Sequence, residues 1–78
     1  MMQVKHKANV HKETEKAVLV TLVFARVDGK ERYVKTWIPK SCCVFEENDI
    51  VGIKPWMVAK KMEEHFVDPA THHFVCVA

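Results

Sequence analysis

Residues 17–38, AVLVTLVFARV-DGKE-RYVKTWI, constrain the fold more than any other stretch. Asp28-Gly29 marks a tight hairpin turn, because such turns require backbone angles that glycine adopts without strain. The segment before it, 17–27, is apolar on both faces and rich in β-branched side chains. That composition predicts a central strand covered on both sides, by a helix or by another subunit. The segment after it, 32–38, alternates. Val34, Thr36 and Ile38 share one face, and Tyr33, Lys35 and Trp37 share the other. Pro39 ends this strand, since it has no N–H to donate to a ladder.

The same two-residue period predicts a half-buried strand over 3–12, with Val4, His6, Ala8 and Val10 on one face. A polar turn over 13–16 would join it to the central strand. Ser41 is placed to cap a short helical turn, and the acidic run 46–49 reads as an exposed loop. IVGI (50–53) is a short strand. Pro55 suits the first position of a helix, and Trp56, Ala59, Met62 and Phe66 recur at helical spacing with Val58 beside them. Asp68-Pro69 ends that helix, and HHFVCVA (72–78) is a final strand. The expected class is α+β in a single domain, 1–78. It is a small curved antiparallel sheet, or a partly open barrel of the SH3-like or OB-like sort, with one helix in the C-terminal half.

Length and composition narrow the function. With 78 residues, 49% apolar and 28% charged, the chain has room for one core and little margin of stability, which makes self-association an expectation. No apolar run approaches the roughly 20 residues that span a bilayer. The first twelve residues lack the apolar stretch of a secretory signal. A reducing cytoplasm is the expected setting, and the cysteines agree. Three cannot pair fully, Cys42 and Cys43 are adjacent, and Cys76 reads as a small core residue. Residues 1–40 hold nine basic and four acidic residues, whereas 41–78 hold three and six. Such asymmetry builds either a basic face or two complementary halves.

Motifs that carry chemistry are weak. His72, His73 and Cys76 form H-H-x-x-C, but neighbouring strand residues point to opposite faces and serve one tetrahedral zinc poorly. The expectation is therefore no metal and no cofactor. No nucleophile elbow frames Ser41, and Gly29 and Gly52 fit no phosphate-binding loop. No catalytic residue is assigned, and the chain is not expected to be an enzyme. What remains is the aromatic–cation–aromatic row of Tyr33, Lys35 and Trp37. Lys5, Lys7, Arg32 and Lys40 are candidates to extend it. Small β-barrels bind single-stranded nucleic acid this way, by stacking bases and holding phosphates. The same aromatics would equally anchor a protein interface, or Trp37 would pack beneath the helix against Trp56 or Met57.

At ETEKA, WIPKS and WMVAKK the chain resembles small proteins encoded by phages and prophages. Those share an E-T-x-K-A strand start, a W-I-P-K-S strand end and a tryptophan opening a short lysine-containing helix. The matching positions are Glu13 to Ala17, Trp37 to Ser41 and Trp56 to Lys61. The resemblance implies a bacterial or phage setting and brings no activity with it. This chain departs from the pattern in its longer strand 17–27, its adjacent cysteines and its tail, residues 67–78. The function expected is a non-enzymatic binding module acting by protein contact, through self-association or on another protein. Single-stranded nucleic acid is the alternative partner, and no membrane is involved.

Overall fold

The computed structural model describes residues 10–47 and 49–78. Strand β1 (Lys12–Glu13) is followed by β2 (Ala17–Arg26) and β3 (Glu31–Pro39). A 3-10 turn (Lys40–Cys42) leads into β4 (Cys43–Glu46) and β5 (Asp49–Ile53), then helix α1 (Pro55–Glu64) and β6 (His72–Val77). β2 is the centre of a four-stranded antiparallel sheet. β3 lies along one side over its full length, while β1 and β6 share the other side. β4 and β5 form a separate two-stranded hairpin.

The β2–β3 turn forms as the Asp-Gly signal predicts. Gly29 has φ +90°, its N–H donates to the Arg26 carbonyl, and the Arg26 N–H donates to the Lys30 carbonyl. The glycine is needed because a side chain in that left-handed conformation is strained. From this closure the pairing of β2 with β3 runs unbroken to Ala17 and Pro39.

The core lies on one face of the sheet. Val18, Val20, Leu22 and Phe24 of β2, with Val34 and Ile38 of β3, pack against Ile50, Ile53, Met57, Val58, Met62 and Val67. The alternation in β3 sorts its residues as expected, and Thr36 is the only buried polar side chain among the described residues. Burying each such apolar side chain contributes roughly 1.5–3 kcal/mol. Phe24 also meets Phe74 of β6 edge to face, with ring centroids 5.8 Å apart. Register in β6 is kept by a bulge at Val75, which turns Phe74 and Val77 to the core and Cys76 to the opposite face.

Several expectations are corrected. The sheets do not close, so the architecture is an open two-layer α+β arrangement, not an SH3-like or OB-like barrel. Most of the strand expected over 3–12 lies outside the described residues, and the remainder is strand only at its end, in β1. β4 was not anticipated, because Val44 and Phe45 sit among polar residues with no clear alternation. The buried side of α1 is formed by Met57, Val58 and Met62, whereas Trp56 and Phe66 are exposed. Both stripes fit a helical period, since neighbouring residues lie only about 100° apart around the axis. Cys42, not Cys76, is the core thiol. No described helix is long and apolar enough to cross a membrane.

Candidate binding face

The second face of the sheet is built by the other half of the same alternation. In β3 it presents Glu31, Tyr33, Lys35 and Trp37. Across the ladder, Tyr33 lies opposite Val23 and Cys76, Lys35 opposite Thr21, and Trp37 opposite Leu19 and Lys12. Tyr33 is 60% exposed and Trp37 41% exposed. Trp37 therefore does not pack beneath α1, which lies on the other side of the sheet. Their Cα positions are four residues apart on one strand, about 13 Å, with Lys35 midway between them in the strand.

The floor between these side chains is apolar. Val23 is buried although it faces away from the core, because Tyr33 and Cys76 flank it on the same rung. Leu19, Thr21 and Ala25 are half-buried. Polar contacts fix the rim. The Tyr33 hydroxyl donates to the Glu31 carboxylate (3.0 Å), and His11 Nε2 lies 2.7 Å from the Thr21 hydroxyl. The Glu31 carboxylate pushes the Tyr33 phenol above its ordinary pKa, first by accepting its hydrogen bond and then by its charge.

The structure brings Tyr33, Lys35 and Trp37 together and sends two of the other candidates elsewhere. Arg32 belongs to the α1 side by alternation. Its guanidinium donates to the carbonyls of His65 (2.7 Å) and Phe66 (3.1 Å), where it holds the chain leaving the helix. Lys40 pairs with the Glu13 carboxylate beside the β1–β2 turn. Lys5 and Lys7 lie outside the described residues. Among the described residues the expected basic track is thus reduced to Lys35, joined by Lys12 at the Trp37 end. Lys12 went unnoticed because the register of β1 on β2, not composition, carries it to this face.

Chemistry elsewhere is sparse. Burial and then the neighbouring Cys42 push the Cys43 thiol up to about 11, which keeps it protonated and a poor nucleophile at neutral pH. His72 uses its Nδ1 locally, 2.8 Å from the Thr71 hydroxyl. Among the described residues no three His, Cys, Asp or Glu side chains converge as metal ligands would. No family model, curated protein or solved structure matches the chain.

Proposed function

We propose that this chain is a non-enzymatic binding module that acts by protein contact, with the open face of β2 and β3 as its working surface. A bacterial or phage origin is part of the proposal and rests on the sequence resemblance alone. One observation carries the reading. Two large aromatic side chains stand exposed over an apolar floor, on a face against which no described element packs. Aromatic residues concentrate binding energy at interfaces because they bury much area with few rotamers to fix. The loss of Arg32 and Lys40 from the row favours protein over nucleic acid, since phosphate binding needs several converging cations. Lys35 between the rings is the feature that favours the second reading, stacking of single-stranded bases.

The test separates the two. Trp56→Phe leaves Trp37 as the only tryptophan, and its fluorescence is titrated with short single-stranded DNA and RNA at low and high salt. Protein contact predicts no salt-reversible quenching. It also predicts a captured protein partner that, once purified, stays bound at high salt and loses about tenfold or more in affinity with Tyr33→Ala or Trp37→Ala. Quenching at low salt that salt reverses refutes protein contact in favour of nucleic acid.

A further inference from the structure

We infer that β3 pairs edge to edge, antiparallel, with β3 of a second copy of this chain, with Tyr33 on the twofold axis. The inference deepens the protein-contact reading and rests on it. Three independent observations meet at this edge.

The first is the backbone. Arg26 bonds Lys30 and Lys40 bonds Lys16, and the register between them is unbroken. Antiparallel bonds alternate, so the even residues of β3 face β2, and the N–H and C=O groups of Glu31, Tyr33, Lys35 and Trp37 point outward. Among the described residues no strand pairs with them. Edges are normally blunted by charged side chains, bulges, prolines or short length, and of these β3 carries only charges along its length, Glu31, Arg32 and Lys35, whose pairing is taken up below. The strand is nine residues long and unbulged, and its only proline, Pro39, stands at the end.

The second is charge. An antiparallel alignment centred on Tyr33 sets Glu31 opposite Lys35 of the second copy, and Lys35 opposite its Glu31. It forms about six main-chain hydrogen bonds and keeps both open faces on one side. Centring on Lys35 would oppose two lysines, and centring on Arg32 two arginines. Centring on Val34 would set Glu31 against Trp37. A one-residue slip would put the open face of one copy beside the core face of the other.

The third is Phe66. Its ring is 89% exposed and its φ is +56°, a conformation costly for a bulky residue. Arg32 of the edge strand holds its carbonyl. In the Tyr33-centred alignment Arg32 lies opposite Val34 of the second copy, on the helix side. Through Arg32, Phe66 of each copy is tied to the helix side of the paired strands, and covering that exposed side chain is part of the inference. The same pairing makes one continuous face from two Tyr33–Lys35–Trp37 rows.

Sedimentation equilibrium of the full chain, from low micromolar to about millimolar, is the test. A mass rising from 9.0 kDa to twice that value is expected. Lys35→Glu and Glu31→Lys should each raise the dissociation constant about tenfold or more, because each replaces two symmetry-related attractions with repulsions. The double variant Glu31→Lys/Lys35→Glu should return it to near the wild-type value, and Phe66→Ser should weaken the dimer. On the unmodified chain, amide exchange at Tyr33 and Lys35 should slow as concentration rises. A single-chain mass at the highest concentration, exchange independent of concentration, or a double variant as weak as the singles would each overturn the inference. A monomer that still captures a partner on its open face overturns this inference alone. A dimer whose open face binds no further protein overturns the open face as the working surface and leaves standing the protein contact on which this inference rests.

Discussion

Phe66 occupies a position where helices usually place glycine, and exchanging it tests the backbone reading of that turn. Helix α1 ends at Glu64. The Val67 N–H then returns to the Met62 carbonyl (2.8 Å) and the Phe66 N–H to that of Glu63 (3.4 Å). Met62 and Val67, the hydrophobic pair that accompanies such an ending, are both buried. This is a Schellman motif, with Phe66 as its left-handed residue. For a residue with a side chain that conformation costs roughly 1–2 kcal/mol, which Phe66→Gly removes. Against this stand about 0.5–1 kcal/mol for the greater freedom of glycine in the unfolded chain. The little ring area that is buried adds only a few tenths of a kcal/mol. The net expectation is a gain of about 0.5 kcal/mol, or roughly 2–4 °C in Tm for a chain of this size.

Phe66→Ala serves as the control, since it deletes the exposed ring and keeps the strain. It should stay within about 0.5 kcal/mol of wild type. Urea unfolding followed by tryptophan emission, at concentrations low enough to keep the chain monomeric, reads all three proteins. A glycine variant less stable than the alanine variant would refute the left-handed assignment. An alanine variant more than about 1.5 kcal/mol below wild type would mean that the ring is buried within one chain. Repeating the series at high concentration connects it to the dimer. Wild type should gain stability there by mass action, and Phe66→Gly should gain less.

Two further predictions use single groups as reporters. Tyr33 is the only tyrosine in the chain, so its ultraviolet titration is unambiguous. The midpoint should lie above 10.0, and Glu31→Gln should lower it. Because folding favours the protonated phenol, this contribution to stability is complete below the unfolded pKa and disappears as pH rises through the folded one. A midpoint unmoved by Glu31→Gln would show that the carboxylate is not its partner. Maleimide at neutral pH should label exposed Cys76 first, with Cys43 slow until alkaline pH and buried Cys42 slow until unfolding. Mapping the label by mass spectrometry checks the order, and prompt labelling of Cys42 would contradict its place in the core.

The strands were legible where one face was apolar and the other was not. In β3 every residue from Tyr33 to Ile38 falls on the side that alternation assigns, because slipping by one would expose Val34 and Ile38 and bury Lys35. The Asp28-Gly29 turn was legible for a related reason, since local backbone chemistry decides it before any tertiary contact forms. β2 was harder. Its apolar second face, Leu19 and Val23, implied a cover by a helix or another subunit, whereas α1 lies on the other face and side chains of the same sheet, Tyr33 and Cys76, flank Val23. Helix α1 was readable as a helix and not as an orientation. Trp56 is the most apolar-looking anchor in that segment, yet Met57 and Val58 take the core.

Arg32 shows why a row of candidate cations read from sequence breaks up on folding. It adjoins Tyr33 in the chain, so composition places them together, but one residue along a strand reverses the face. The guanidinium then meets the carbonyls of His65 and Phe66, at and just beyond the end of α1. A donor fork is worth more there than on a solvated face, because helix-end carbonyls carry excess negative charge. The two-residue period therefore divides one strand between two tasks. Its even positions pack the core and fasten the end of the helix. Its odd positions carry the exposed aromatics, the lysine between them and a backbone edge with which no described strand pairs. Any partner that reads the edge by hydrogen bonding also meets the aromatic row, since both belong to the same odd residues. For that reason the face and the edge are expected to function as one surface.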